Sequence, residues 1–216
     1  MMKWLWVFCL MGNLWAESIW VIDEEFVKFG KKEVYEEQKK GMVRRWNLKG
    51  NVIAIEDKDV PRFLYLCEME NYGEMDQWDK DWQTFWRGLN KEELVKFDSL
   101  INFKVKSAQV EVVNVGGDFF TMPSIRYLVV GIVPGNDWTF VKHIKGMIGK
   151  VETKGLGMKV WRIVMGGDMP KFVVCVNGKS EDELEEIDVL EGLPKDAIRG
   201  VKSGKAVVRR DLSYVR

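Results

Sequence analysis

His143 is the only imidazole in the chain, so it is the first residue to consider as a general base. One histidine also excludes a metal site built from several imidazoles within a chain. At the helical repeat of 3.6 residues per turn, His143 lies to one side of the Phe140, Met147 and Ile148 stripe. The equivalent position in the first half of the chain is Gln38, which suits a solvated flank. The second candidate is aromatic. Trp78, Trp82 and Trp86, with Phe85, could floor a pocket for an aromatic ligand. The same spacing puts Trp78 and Trp82 on a core-facing stripe and Trp86 slightly off it. His143 is thus the catalytic candidate, and Trp78, Trp82 and Trp86 are the ligand-binding candidates. Trp46, Trp138 and Trp161 fit either role.

Other clusters read as surface. Asp182, Glu183, Glu185, Glu186 and Asp188 lack the spaced oxygen ligands and glycine of a calcium loop. Asp76, Asp79 and Asp81 read the same way, and no metal site is expected. Arg44-Arg45 and Arg209-Arg210 are isolated basic pairs. The 33 Lys+Arg balance 33 Asp+Glu, so there is no electrostatic footprint for nucleic acid. The chain has no phosphate-binding Gly-Lys-Ser/Thr loop, nucleophile elbow or Cys-x-x-Cys, and Gly155-Leu156-Gly157 reads as a helix-to-strand turn. The sequence identifies no cofactor.

These residues must be held by a folded core, which 46% hydrophobic and 31% charged residues can supply. The first stretch, MMKWLWVFCLMGNLWA, has a positive Lys3, an apolar run from Trp4 to Met11 and a small Ala16. The run falls short of the roughly 20 apolar residues that span a bilayer. It reads as a signal peptide, residues 1–16, implying a secreted or periplasmic protein with no transmembrane span. Its removal would leave Cys67 and Cys175.

The rest reads as an internal repeat, residues 17–115 and 126–216, joined by a 116–125 linker. Phe29-Gly30 and then Lys39-Lys40-Gly41-Met42-Val43 match Pro134-Gly135 and then Ile144-Lys145-Gly146-Met147-Ile148. Asp59-Val60-Pro61-Arg62-Phe63 matches Asp168-Met169-Pro170-Lys171-Phe172, and Val105-Lys106-Ser107 matches Val201-Lys202-Ser203. In the first copy the pattern gives a strand over Trp20 to Lys28, a helix over Lys31 to Trp46, and short strands over Val52 to Glu56 and Phe63 to Glu68. A helix then starts near Tyr72 and restarts at an Asn90/Glu93 capping box, and a bent strand runs from Asn102 to Asn114. The second copy gives Tyr127 to Val133, Asn136 to Ile148, Met158 to Met165, Phe172 to Val176, a helix over Ser180 to Leu190 and a strand over Ala206 to Leu212. Aligning Pro61 with Pro170 sets Cys67 and Cys175 one position apart in equivalent strands. Successive strand residues face opposite sides, so both cysteines are expected to be free.

A βαββαβ unit makes a four-stranded sheet with its helices on one face. The expected fold is therefore α+β, with two tandem ferredoxin-like βαββαβ units packed sheet to sheet as an intramolecular pseudo-dimer. That order, with Phe29-Gly30-Lys31-Lys32-Glu33-Val34-Tyr35-Glu36-Glu37 and the boundary Pro134-Gly135-Asn136-Asp137-Trp138, resembles the dimeric α/β-barrel superfamily. Antibiotic-biosynthesis-monooxygenase-like and NIPSNAP-like proteins belong to it. Haem-degrading members use a helical His with an Asn and a Trp, but Trp20 to Lys28 and Tyr127 to Val133 contain no Asn. The leading expectation is a non-catalytic module binding a small apolar or aromatic ligand or a protein partner. The resemblance implies the alternative, a cofactor-independent monooxygenase-like or haem-handling enzyme.

Overall fold

Apolar and β-branched residues dominate Ile19–Val27, which forms β1. Left-handed Gly30 (φ 72°) then turns the chain into α1, Lys32–Val43, whose Tyr35, Lys39, Met42 and Val43 line the buried face. The computed structural model describes residues 18–48, 50–165, 170–185 and 187–215. The signal-peptide segment and the Asp168-Met169 part of the repeat lie outside them. The chain continues through β2 (Ile53–Asp57), β3 (Arg62–Met69), α2 (Tyr72–Gly88), α3 (Lys91–Asp98) and β4 (Ile101–Val115). It then forms β5 (Ser124–Ile132), α4 (Asp137–Gly146), α5 (Ile148–Thr153), β6 (Gly157–Met165), β7 (Lys171–Gly178) and β8 (Ile198–Val208). The Asn90/Glu93 capping box forms as its spacing predicts.

The strands make one closed antiparallel barrel in the order β1-β3-β2-β8-β5-β7-β6-β4. This corrects the expectation of two ferredoxin-like sheets stacked face to face. β2 pairs with β8 through Ile55↔Val208, and β4 pairs with β6 over Ala108 to Val115. The edges that separate sheets would expose are thereby joined, which removes the unpaired backbone N–H and C=O groups of an edge strand. Helical periodicity and strand alternation are local signals, and neither reveals which edges meet.

Register sorts the side chains. Trp20, Ile22, Ile55, Leu66, Phe119, Ile125, Trp161, Cys175, Ala206 and Val208 fill the barrel interior. Phe119, from the segment between β4 and β5, stacks on Trp161 at 6.2 Å. Ile19, Val21, Tyr35, Tyr65, Cys67, Trp78 and Phe97 pack between the barrel and α1–α3. Val130, Phe140, Ile144, Val160 and Phe172 form the corresponding layer under α4 and α5. Cys67 and Cys175 therefore occupy different layers, and both are free and buried.

The helix expected over Ser180 to Leu190 does not form. Its described part holds one 3₁₀ turn, Asp182–Leu184, and Lys179 N–H donates to the Glu183 carboxylate at 2.8 Å. Like charges three and four residues apart oppose a helix there. The last strand also starts earlier than its pattern suggested, at Ile198.

Candidate functional site

The centre of β1 departs from its apolar pattern with Asp23-Glu24-Glu25. By alternation, Asp23 and Glu25 face the helices and Glu24 faces the barrel interior. α1 presents Lys39 on the stripe that holds Tyr35 and Met42. The two irregularities meet. Lys39 Nζ donates to Glu25 Oε2 at 2.7 Å, with the side chains 2% and 7% exposed. Tyr35 Oη donates to the same carboxylate, and the Tyr35 and Tyr65 hydroxyls are 2.7 Å apart. Lys39 Nζ sits 3.9 Å above the Tyr65 ring and 5.2 Å from that of Phe97, both cation–π distances.

Electrostatics separates the two carboxylates. Burial alone would raise the Glu25 carboxyl, but Lys39 and Lys104 outweigh it and hold it below the usual range. Burial lowers the Lys39 amine against the pull of Glu25. Burial also drives the Tyr35 and Tyr65 phenols well upward, and neighbouring Glu25 adds to this, so both stay protonated as donors. Asp23 responds in the opposite sense to Glu25. Desolvation, reinforced by Glu25 and Asp79, exceeds the opposing pull of Lys106 and Lys39, and its carboxyl is raised to about 6.

These groups border a cleft of about 170 Å³ between β1, β4 and α2, lined by Asp23, Glu25, Lys39, Tyr65, Asp79, Trp82, Trp86, Lys104 and Lys106, with Lys106 paired to Asp79. Trp82 and Trp86 stack with centroids 5.8 Å apart and planes at 19°. Lys104 Nζ lies 5.1 Å above the Trp86 ring. A planar wall, a carboxylate near neutrality and several ammonium groups thus share one concavity. The arrangement can hold a flat aromatic molecule, take a proton from it and stabilise the resulting anion.

The aromatic candidates divide. Trp82 and Trp86 line this cleft, whereas Trp78 is 5% exposed, meets Trp82 edge-on at 5.6 Å and borders a separate hollow beside Glu68 and Asn71. His143 lies on α4 in the other helix layer, with Nε2 3.0 Å from the Val189 carbonyl oxygen. Asp23, Glu25, Lys39, Tyr35 and Tyr65 were not singled out from the sequence. Two signals were present: three carboxylates inside an apolar strand, and a lysine on the apolar stripe of a helix.

A second polar cluster lies in the barrel. Asp57 Oδ2 accepts from Tyr127 Oη at 2.6 Å and from Arg62 at 2.5 Å, and Arg62 also reaches Glu24 at 3.0 Å. One guanidinium is shared by two carboxylates and the Tyr127 hydroxyl donates to one of them, which fits a structural network.

A haem does not fit the cleft. The chain's one imidazole is elsewhere, Tyr35 and Tyr65 are bonded to each other and to Glu25, and the volume is far below that of a porphyrin.

No protein-family model matches the sequence, and no curated protein matches it. Solved structures share the fold. A monooxygenase-like protein from Lactobacillus acidophilus NCFM aligns with TM-score 0.61 at 9% identity, over 92% of this chain and 96% of its own. An anthrone oxidase-like protein gives 0.61 at 11% identity, over 89% and 91%. Chlorite dismutase from Candidatus Nitrospira defluvii gives 0.57 at 10%, over 90% and 92%. At these identities the likeness is one of fold alone.

Proposed function

We propose that the cleft beside β1 is the active site of a monooxygenase-like enzyme that oxidises a small, electron-rich aromatic compound of the anthrone or hydroquinone class. The observation that carries this reading is Asp23: a carboxylate raised to about 6, beside the buried Lys39–Glu25 pair, in a cleft walled by Trp82 and Trp86. Fold neighbours described as monooxygenase-like and anthrone oxidase-like support the reaction class. The organic frame stacks on the tryptophan pair. Asp23 accepts the proton of the acidic C–H or O–H group, and a pKa near 6 leaves it ionised at neutral pH yet basic enough to act. Lys39, Lys104 and Lys106 hold the oxyanion, and Glu25 with Tyr35 fixes the ammonium of Lys39. Dioxygen is the oxidant. For an anthrone, the CH₂ group becomes a carbonyl with one oxygen atom, and the other leaves as water with the two hydrogens.

The test is oxygen uptake by the purified protein with anthrone and hydroquinone. Saturable uptake should rise with pH through about 6 and disappear in Asp23→Asn, while Trp82→Ala should raise KM. Binding of either probe without uptake would instead establish a non-catalytic aromatic-binding module. Uptake unchanged in Asp23→Asn would remove Asp23 from the chemistry.

A further inference from the structure

The exposed apolar residues of this protein are unevenly placed. In the antiparallel barrel, β1, β2, β5 and β6 finish at the end where β3, β4, β7 and β8 start. Of the ten large hydrophobic residues exposed among those described, six lie at that end: Phe29, Val60, Phe103, Trp138, Met165 and Val201. Only Tyr72 and Val215 lie at the opposite end. Phe29 is 97% exposed and Trp138 72%. A single exposed ring is ordinary, but six of ten gathered at one end of the fold mark a candidate interaction surface.

The two most exposed rings lie just beyond the ends of β1 and β5. Phe29 precedes Gly30 (φ 72°) in the β1–α1 turn, where Lys31 N–H donates to the Lys28 carbonyl at 3.0 Å. Gly135 (φ 92°) makes the β5–α4 turn, where Asn136 N–H donates to the Val133 carbonyl at 3.0 Å, and Trp138 is the second residue of α4. β1 and β5 are four strands apart in either direction around the eight-stranded ring. The two rings therefore stand at opposed points of one rim, and a single plane can touch both.

The charge around that rim is basic. Lys28, Lys31, Arg199 and Lys202 are exposed there. Against them stand the exposed carboxylates Glu33, Asp59, Asp98 and Asp196, of which Asp98 is tied to Lys104 at 3.3 Å and Asp196 is next to exposed Lys195. Exposed Trp and Phe interleaved with Lys and Arg are what an interfacial surface presents: rings enter the headgroup layer and cations meet lipid phosphates. We propose that this end of the barrel docks on an anionic lipid bilayer, with Phe29 and Trp138 as its two anchors. No described helix is long and apolar enough to cross a membrane; the proposed contact is a peripheral one.

Co-sedimentation of the full chain with phosphatidylcholine vesicles, with and without phosphatidylserine, tests this. The protein should pellet with the phosphatidylserine vesicles and be released by salt, because surface charge attraction is screened. Phe29→Ser with Trp138→Ser should lower the partition coefficient roughly ten-fold or more. Lys28→Ser with Lys31→Ser should lower it about five-fold per lysine removed. All four side chains are exposed, so circular dichroism and thermal midpoints should match the parent. The double aromatic variant keeps residues 1–17, which separates the rim from any binding by that segment. Three results would overturn the proposal: no binding to either vesicle, binding that the aromatic substitutions leave unchanged, or self-association in sedimentation velocity that they abolish. The last would make the rim an interface between copies of the chain.

Discussion

Asp23→Asn should make this protein more stable at neutral pH while abolishing its proposed activity. Asparagine has nearly the same shape as aspartate but cannot carry the charge. The Asp23 carboxyl moves from 3.8 to about 6 on folding because burial and the neighbouring Glu25 and Asp79 disfavour its anion more than Lys106 and Lys39 favour it. A raised folded-state pKa contributes stability that is fully present below 3.8 and lost as pH rises through about 6. At about 1.4 kcal/mol per pH unit, that loss is about 3 kcal/mol by pH 7. The asparagine variant does not suffer it. Urea unfolding of both proteins across pH should therefore show curves that run parallel below 3.8, diverge up to about 6 and stay apart above it, with the variant the more stable. In thermal melts the gap at neutral pH corresponds to about 6–12 °C for a chain of this size. A stability difference independent of pH, or a variant less stable at neutral pH, would refute the electrostatic argument and with it the case for Asp23 as a base poised by its surroundings.

Lys39→Met should cost about 3–5 kcal/mol in urea unfolding, because it leaves the Glu25 carboxylate buried without its nearest cation. Adding Glu25→Gln should recover part of that loss, and additive costs would contradict the pairing. Gly204→Ala places a Cβ 2.3 Å from Tyr127 Oη and must displace the ring that donates to Asp57. A cost of about 1–3 kcal/mol is expected, and an unchanged thermal midpoint would show that the ring has room to move. Cys67 and Cys175 should be unreactive toward Ellman's reagent in the folded protein and react fully in denaturant. Burial pushes the Cys175 thiol up to about 12 and that of Cys67 well upward, and thiolate is the reactive form. A mapped Cys67–Cys175 bridge would contradict their placement in separate layers.

Much of the local structure was legible because its causes are local. β1, α1 and α2 lie close to where period and composition placed them, and Asn90 caps α3 through a contact three residues away. The segregation of Cys67 from Cys175 agrees with strand alternation applied to the Pro61/Pro170 alignment. The helix expected over Ser180 to Leu190 is absent from its described part, where like charges three and four residues apart oppose it.

What the sequence determined by itself, then, was the order and approximate extent of nearly every element. These depend on neighbours within a few residues. Tertiary structure alone decided two matters. Strand edges carry no side-chain label, so the pairing of β2 with β8 and of β4 with β6, which turns the sheets into one barrel, depended on the backbone hydrogen bonds left open by every other pairing. The candidate site joins Asp23 and Glu25 of β1 to Lys39 of α1, Tyr65 of β3 and Trp82 and Trp86 of α2. Within their own segments Asp23, Glu25, Lys39 and Tyr65 carry no signal that links them to one another or to the tryptophans. Only when α1 and α2 pack over the barrel do burial and mutual charge set two carboxylates, separated by one residue, to opposite sides of their ordinary pKa.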